Sequence, residues 1–347
     1  MKAVVFEDKE VASYKEVDEP RIEDNEVLIK VKYCGICGTD IALYRGDMPY
    51  MTIGMQNYPL IPGHEWSGEV VKTGPGVKNL KKGDRVTGDV TIGCTKCRNC
   101  MEGRFNLCPN RYEVGCYRNR QGGMAEYIAM PERHTYKFSE NIDFMGGAIV
   151  EPLATAVHGL ARKKIGYDEN ILITGTGLIG ILAAQVAQLN KSSRVILSGR
   201  TRSKLDAARE SGVENIINIR ENDIKQELKK MGLLDDIDFC VECSGNINAL
   251  KQCIELVKAG GDISIIGFYE NFTEVVNFDD ISIKNLEIHG VLASPNFFRP
   301  TLNLLEKNLI NYKPLISKVF ELGEINQAID YVTDKDNESI KVMLKVG

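Results

Sequence analysis

The alternation of apolar and polar residues divides the chain into two parts that predict different architectures. In residues 1–153, segments such as MKAVVF, EVLIKVKYCG and SGEVVKTG alternate as half-buried antiparallel strands do. Glycine and proline separate these segments, for example at Pro59, Pro62 and the GPG of residues 74–76. We therefore predict a small distorted β-barrel here, with a loop from Met48 to Tyr58.

Strands alternate with helices from residue 154 to residue 293. The strand segments NILIT, RVILS, NIINI, DFCVE, DISIIG and LEIHGVL are separated by helical segments that include TRSKLDAARESG and NALKQCIELVKAGG. Apolar, β-branched strands between helices predict a doubly wound parallel sheet, covered on both faces. Six strands are the number expected for a complete dinucleotide-binding sheet. Residues 294–347 then predict a helix near RPTLNLLEKNL and a last strand, KVMLKV.

A glycine motif follows the first strand of this second part. In GTGLIG, Gly175, Gly177 and Gly180 flank Leu178 and Ile179, and the helical segment LIGILAAQVAQLN begins inside the motif. The first glycine allows a tight turn, the second lets the backbone approach a pyrophosphate, and the third allows close packing of helix on strand. The helix N-terminus then offers free N–H groups to the phosphates. The motif therefore predicts a bound dinucleotide.

Composition narrows the choice of function class. The chain has 347 residues, of which 26% are charged and 43% hydrophobic, with a net charge of −5. This length predicts two domains, and without a basic stripe among aromatic residues we expect no nucleic-acid partner. No apolar run approaches the roughly 20 residues of a membrane span, and the first ten residues lack a signal-peptide core. We expect a cytoplasmic protein without a membrane partner.

Four closely spaced cysteines predict a structural metal site. The spacing C-x2-C-x2-C-x7-C joins Cys94, Cys97, Cys100 and Cys108 in one glycine-containing loop, residues 94–108. Four thiolates can close a tetrahedron around Zn²⁺ at about 2.3 Å, leaving no open position. Disulfides or inert thiols are the alternatives, disfavoured in a reducing compartment, and an iron–sulfur cluster is a weaker rival.

A second set of metal-ligand residue types is spread along the first part. Cys37, His64 and Glu151 offer a thiolate, an imidazole and a carboxylate, which suit zinc with an open fourth position. Glu65, next to His64, is either an occasional ligand or a partner of the ligands. This set predicts a catalytic zinc, and hence two zinc ions per chain.

Seven motifs together resemble one enzyme family. In chain order they are GICGTD, PGHEWSGEVV, GDRV, the four-cysteine loop, GGMAEY, VEPLATAVHG and GTGLIG. The chain resembles the zinc-dependent medium-chain alcohol dehydrogenases, in the polyol (sorbitol or butanediol) and threonine dehydrogenase branch. The resemblance implies a GroES-like catalytic domain over residues 1–153, a Rossmann coenzyme domain over 154–293, and a return to the catalytic domain over 294–347. It also implies reversible oxidation of an alcohol by NAD(P)⁺ and a homotetramer.

The resemblance also assigns roles to residues near the second zinc set. It implies that the hydroxyl of Thr39 takes the proton from the substrate hydroxyl, and that Glu151 is the third zinc ligand typical of the polyol and threonine branch. Many relatives continue the proton path through a histidine three residues after that threonine, but this chain has Ala42. Proton exit must then use water, a coenzyme ribose hydroxyl or another side chain. His158 is expected on a helix.

The end of the second strand of the coenzyme domain predicts the coenzyme type. NAD-dependent domains place an acidic residue there for the ribose 2′-hydroxyl, whereas this chain has Ser198, Gly199, Arg200, Thr201 and Arg202. The arginines offer planar charged groups for a 2′-phosphate. We therefore predict a preference for NADP(H) over NAD(H).

The substrate expected from the Glu151-type ligand and the resemblance is a polyol or sugar-like secondary alcohol. The alternatives are a threonine-dehydrogenase-like enzyme and an NAD-dependent butanediol or sugar-phosphate dehydrogenase. A zinc-free quinone reductase or a non-enzymatic protein on the same scaffold is disfavoured, because both ligand sets are present.

Overall fold

The computed structural model describes residues 1–191, 193–269, 276–334 and 338–347. These residues form seventeen strands: β1 Lys2–Asp8, β2 Val11–Glu16, β3 Glu26–Ile36, β4 Glu65–Thr73, β5 Arg85–Gly88, β6 Thr91–Ile92, β7 Tyr112–Glu113, β8 Tyr127–Pro131, β9 Thr135–Lys137, β10 Asn170–Thr174, β11 Arg194–Gly199, β12 Asn215–Asn218, β13 Ile237–Glu242, β14 Val257–Ile265, β15 Glu287–Gly290, β16 Ile316–Glu321 and β17 Lys341–Lys345.

The same residues form eleven α-helices and four short 3₁₀ helices. The α-helices are α1 Gly38–Arg45, α2 Pro49–Thr52, α3 Arg98–Met101, α4 Phe144–Leu160, α5 Leu178–Ala187, α6 Arg202–Glu210, α7 Ile224–Lys230, α8 Ile247–Leu256, α9 Phe278–Ile283, α10 Phe298–Glu306 and α11 Ile325–Thr333. The 3₁₀ helices are Phe105–Leu107, Glu132–His134, Lys313–Leu315 and Leu322–Glu324. None of the helices in this described part is both long enough and apolar enough to cross a membrane.

The chain forms two compact units. The first comprises residues 1–154, 293–307 and 316–347, and the second comprises residues 155–292 and 308–315. The sequence-based boundaries differ in one segment, because residues 308–315 belong to the second unit. A reciprocal pair of hydrogen bonds joins this segment to α5: the side chain of Gln185 donates to the Asn311 carbonyl (3.2 Å) and accepts from the Asn311 N–H (2.7 Å).

The first unit is built on a seven-stranded, mostly antiparallel sheet. Its path is β16-β17-β3-β4-β5-β9, with β8 paired to β3. Strand β3 alternates buried and less buried positions from Val27 to Lys32, as the sequence pattern predicts, whereas the first four residues of β4 are all buried. The apolar side chains of both strands join a core that contains Trp66, Phe6 and Leu43. Within the predicted loop 48–58, Pro49 starts the short helix α2, since proline at the first helical position needs no N–H partner.

The second unit contains a six-stranded parallel sheet in the order β12-β11-β10-β13-β14-β15. The sequence order reverses between β10 and β13, and ligands of such sheets bind at the carboxyl ends of the strands around that point. One predicted helix is shorter than the sequence suggests: α8 ends at Leu256, and Val257–Gly261 begins β14. Gly260 has φ +75, a backbone conformation that an α-helix does not contain.

Candidate active site and coenzyme site

Three metal-ligand side chains meet in the first unit where two strands end and begin. Cys37 follows β3 and caps the N-terminus of α1, His64 follows the Pro62-Gly63 turn, and Glu65 is the first residue of β4. One ligand atom from each residue, a thiol, an imidazole and a carboxylate, lies within 4.8 Å of the others. His64 and Glu65 are buried, and Cys37 is partly exposed.

Asp40 holds the two loops of this cluster together. One carboxylate oxygen accepts a hydrogen bond from the backbone N–H of Cys37 at 2.8 Å, and the other accepts one from the N–H of Gly63 at 3.0 Å. The second oxygen also lies 3.8 Å from Nδ1 of His64. Asp40 is the last residue of the GICGTD motif, and its role as the link between the loops was not assigned from the sequence.

Lys341 is a second residue of the cluster that sequence reasoning missed. Its Nζ, carried by β17, donates to Oε2 of Glu65 at 2.6 Å and to the carbonyl of Ile36 at 2.8 Å. Burial opposes the charge of Lys341, but the negative charges of Glu65 and Cys37 outweigh it and raise the lysine pKa. Glu65 is therefore paired with a buried ammonium group.

Glu151 lies near these three residues but outside the group defined by the 4.8 Å limit. It belongs to α4, is buried, and acts electrostatically on His64. Burial works against the charged form of His64, yet the negative charges of Cys37 and Asp40 outweigh burial. Together with Glu151 they raise the pKa of His64 well above its usual value. The site thus concentrates negative charge around one imidazole.

The donor set fits zinc. A thiolate, an imidazole and carboxylates are its preferred protein ligands, and buried anions of this density favour a divalent cation. In addition, Nδ1 of His64 is buried and has no hydrogen-bond partner among the described residues. These observations make the cluster suitable for a metal with catalytic chemistry.

The four-cysteine loop forms a second, separate donor cluster. One sulfur atom each of Cys94, Cys97, Cys100 and Cys108 lies within 4.8 Å of the others. Backbone N–H groups of Cys94 and Asn110 point at the Cys108 sulfur at 3.4 and 3.3 Å. All ten cysteines of the chain lie in the described part and are free thiols.

Two cysteines of this loop differ in their electrostatic surroundings. Backbone N–H groups lower the pKa of Cys94 to about 6, whereas burial raises the pKa of Cys100 to about 12. Four thiols in this arrangement ionise together only around a cation, because thiolates repel one another. The loop therefore fits a tetrahedral Cys₄ zinc.

The glycine motif of the second unit forms the turn between β10 and α5. Gly175 has φ +106, which only glycine adopts readily, and its N–H donates to the carbonyl of Ser198 at 2.9 Å. A methyl group on Gly180 would collide with the carbonyl oxygen of Gly175. Gly177 caps the helix and faces open space, so a methyl group there would fill room available to a ligand. Leu178 is buried and Ile179 partly buried.

The end of β11 presents the residues expected to select the coenzyme. Gly199 ends the strand, and a methyl group on it would collide with the Thr176 side chain. Arg200 is exposed directly after the strand. Arg202, the first residue of α6, lies 3.5 Å from Asp206 and 3.7 Å from Glu221. Ser198 is buried, and its hydroxyl donates to the carbonyl of Ile173 at 3.4 Å.

The remaining residues predicted for the site lie on the helices α1 and α4. Thr39 is the second residue of α1, two residues after the helix cap Cys37, and is partly exposed. Ala42 packs against the core of the first unit, and its methyl group cannot transfer a proton. His158 lies on α4 and is buried.

Comparison with known proteins decides the family. Residues 23–140 match the family described as alcohol dehydrogenase GroES-like domain, and residues 179–307 match the family described as zinc-binding dehydrogenase. A sorbitol dehydrogenase of Halalkalibacterium halodurans is 34% identical over 334 residues, covering 95% of this chain and 94% of that protein. The chain belongs to the zinc-dependent medium-chain alcohol dehydrogenases.

A second relative supports the polyol and threonine dehydrogenase branch for this dehydrogenase, and a solved structure shares its fold. An L-threonine 3-dehydrogenase of Idiomarina loihiensis is 33% identical over 334 residues, with 95% of this chain and 94% of that protein covered. A crystal structure of a zinc-binding dehydrogenase from Sinorhizobium meliloti 1021 bound to NADP has a TM-score of 0.91 and 32% identity, covering 99% of each chain. The dehydrogenase acts on a CH–OH group of a small-molecule substrate, and the predicted family, enzyme class and GroES-like plus Rossmann fold are confirmed.

Proposed function

We propose that this dehydrogenase transfers a hydride between a secondary alcohol of a polyol or sugar-like substrate and NADP(H), with two zinc ions per chain. The observation that carries the proposal is the cluster of Cys37, His64 and Glu65, whose ligand atoms lie within 4.8 Å of one another in a chain that also contains a dinucleotide turn. A binding protein without chemistry has no need of such a donor set.

In this proposal Cys37, His64 and Glu151 hold the catalytic zinc, and the four cysteines of the 94–108 loop hold the structural zinc. Glu65 is the alternative ligand to Glu151. Its ion pair with Lys341, at 2.6 Å, supports a role as a partner of the ligands, because a metal would compete with the ammonium group for the same carboxylate.

The chain's own residues then orient the alcohol and remove its proton. A bound zinc supplies Lewis acidity, which lowers the pKa of a nearby hydroxyl, and the coenzyme supplies the hydride acceptor. We assign the first proton transfer to the hydroxyl of Thr39, which α1 carries two residues after Cys37. Since Ala42 cannot continue the path, the proton leaves Thr39 through water, a coenzyme ribose hydroxyl or another side chain.

The preference for NADP(H) rests on the residues at the end of β11. None of Ser198, Gly199 and Arg200 carries a negative charge that would repel a 2′-phosphate, and the exposed Arg200 offers it a bidentate partner. Arg202 is the weaker candidate, because Asp206 and Glu221 already lie near its guanidinium group. A relative of this fold bound to NADP supports the same choice.

The polyol assignment is supported by the sorbitol dehydrogenase relative and by Glu151 as the third ligand. A second candidate substrate is L-threonine, because a threonine 3-dehydrogenase is related to this chain at nearly the same identity, 33%. A homotetrameric assembly, testable by sedimentation velocity, and a cytoplasmic location stay predictions.

Two measurements on the purified enzyme test the proposal together. Metal analysis is expected to give two zinc ions per chain. A result of one zinc ion per chain would argue against the catalytic site, and a result of no zinc would favour a zinc-free reductase. A panel of polyols, inositols, sugar phosphates, L-threonine and short alcohols is then offered with NADP⁺ and with NAD⁺. Oxidation of polyols is expected, whereas activity on primary aliphatic alcohols alone would contradict the substrate class.

A further inference from the structure

A third group of metal-ligand side chains lies on the second unit, at the edge of its parallel sheet. Strand β15 is the last in the sheet and pairs with β14, so that Glu287 is directly opposite Asp262 and His289 is opposite Ser264. Residues two apart on a strand point to the same face. Glu287 and His289 therefore share the face on which Asp262 lies.

The distances between the ligand atoms match those around a single metal ion. Nε2 of His289 is 3.2 Å from Oδ1 of Asp262 and 3.7 Å from Oε2 of Glu287, and one ligand atom from each of the three lies within 4.8 Å of the others. Ligands at about 2.1 Å from a zinc ion are about 3.4 Å apart in a tetrahedron. An ion therefore fits among these atoms with only small side-chain movements.

The charges around this cluster leave an excess of negative charge. Two carboxylates directly opposite each other on neighbouring strands repel, which is unfavourable unless a cation lies between them. Lys163 lies 3.2 Å from the other oxygen of Asp262, Oδ2, and 3.3 Å from Glu169. The carboxylates of Asp262, Glu287 and Glu169 and the ammonium group of Lys163 together carry a charge of −2 when His289 is neutral. One divalent cation would neutralise this charge.

We propose that Asp262, Glu287 and His289 bind a divalent transition-metal ion, at a site made of different residues from the two zinc sites. The imidazole selects zinc, manganese, cobalt or nickel over magnesium and calcium, which prefer ligand sets made only of oxygen. The side chain of Glu287 is 73% exposed, so an ion can enter from solvent and keep water in its remaining positions. By joining β15 to β14, the bound ion stabilises the edge of the sheet.

The competing arrangement is a plain ion pair, in which a protonated His289 donates to Asp262. The two arrangements make opposite predictions for added metal. An imidazolium has no lone pair for a metal, so an ion pair alone would neither bind Mn²⁺ nor gain stability from it. A metal site would do both, since any ligand that binds only the folded state raises the melting temperature.

The test is an electron paramagnetic resonance titration of the intact, zinc-loaded enzyme with Mn²⁺. Manganese is the right probe because it is weakest in the affinity order of these metals and leaves zinc bound to cysteine sites. We expect one bound Mn²⁺ per chain at neutral pH, displaced by added Zn²⁺ but not by Mg²⁺. In His289→Ala and Glu287→Gln the affinity should fall about tenfold or more, while Glu214→Gln, an exposed carboxylate elsewhere, should bind as the wild type does.

Dehydrogenase activity and circular dichroism serve as controls for folding. Glu287→Gln is the safer variant, because its side chain is largely exposed. Mn²⁺ should raise the melting temperature of the wild type and leave that of Glu287→Gln unchanged. Absence of bound Mn²⁺ in the wild type, or Mn²⁺ affinity in both site variants equal to that of the wild type, would overturn the proposal.

Discussion

Nζ of Lys341 lies 2.6 Å from Oε2 of Glu65, and the two side chains are only 5% and 2% exposed. The pair joins the last strand, β17, to the first residue of β4, across 276 positions of sequence. Because Glu65 is adjacent to His64, this ion pair lets β17 hold one side of the candidate zinc site in place. A buried ion pair of this kind fixes the positions of its two side chains. Removing one partner leaves the charge of the other buried and unpaired.

Replacing Lys341 by alanine should therefore be strongly destabilising. We expect Lys341→Ala to lower the free energy of unfolding by about 3–5 kcal/mol, since Glu65 is left buried without a partner. The matched control is Lys345→Ala on the same strand, whose pair with Glu321 is exposed and should cost under about 1 kcal/mol. Urea unfolding measures both. Similar values for the two variants would show that the buried pair has no special role.

The double variant Lys341→Met, Glu65→Gln separates charge from packing. It removes both charges, so it should recover part of the stability that Lys341→Ala loses. A double variant less stable than the single one would contradict this explanation.

Two glycines of the GTGLIG turn should respond differently to alanine. Gly177 faces open space and has φ −74, so Gly177→Ala should leave the melting temperature unchanged. Its methyl group would, however, occupy room for the pyrophosphate and raise the KM for NADP⁺ about tenfold or more, or about 1.4 kcal/mol. Gly180→Ala would collide with the Gly175 carbonyl and should destabilise the fold by about 1–3 kcal/mol. The KM for NADP⁺ and the melting temperature, measured for both variants, test this difference. A normal KM for NADP⁺ in Gly177→Ala would argue against coenzyme binding at this turn.

The four-cysteine loop should affect stability rather than turnover. Cys100→Ser removes one thiolate from the cluster, so we expect one zinc ion per chain to be lost and the melting temperature to fall, because metal binding contributes folding free energy. Met101→Ala, an exposed neighbour on the same loop, should change neither quantity. Unaltered zinc content and melting temperature in Cys100→Ser would rule out a structural metal there.

Arg200 should account for most of the coenzyme preference. Losing a charge-assisted contact with a phosphate costs about 1.5–3 kcal/mol, so Arg200→Ala should raise the KM for NADP⁺ roughly ten- to a hundredfold and leave that for NAD⁺ nearly unchanged. Arg209→Ala is the control, since this exposed arginine on α6 pairs with Asp206. Equal kcat/KM values for both coenzymes in the wild type would show that Arg200 has another role.

The parts of the fold that depend on local pattern could be predicted from the sequence. The six parallel strands appear as separate apolar segments, and the Cys94–Cys108 spacing defines its own loop, so both were found without a structure. The start of β14 was assigned to a helix, because VKAGG continues the apolar spacing of α8 and only backbone geometry at Gly260 reveals the strand.

The parts of the site that depend on distant residues could not be predicted. Lys341 looks like an ordinary strand lysine, and its role depends on a strand pairing, β17 with β3, between opposite ends of the chain. Asp262 and His289 likewise become neighbours only through the pairing of β14 with β15. Asp40 stands in the GICGTD motif, but its two hydrogen bonds to separate loops are visible only in three dimensions.

The central claim is that Cys37 and its neighbours form the catalytic zinc site of an NADP-dependent alcohol dehydrogenase. The most direct test is the initial rate of NADPH formation from polyols, measured for the wild type and for Cys37→Ser at equal folded concentration. We predict ready turnover by the wild type, and for Cys37→Ser a loss of turnover together with one zinc ion per chain. A Cys37→Ser variant with near-normal kcat, or a wild type that reduces no NADP⁺ with any alcohol, would contradict the claim.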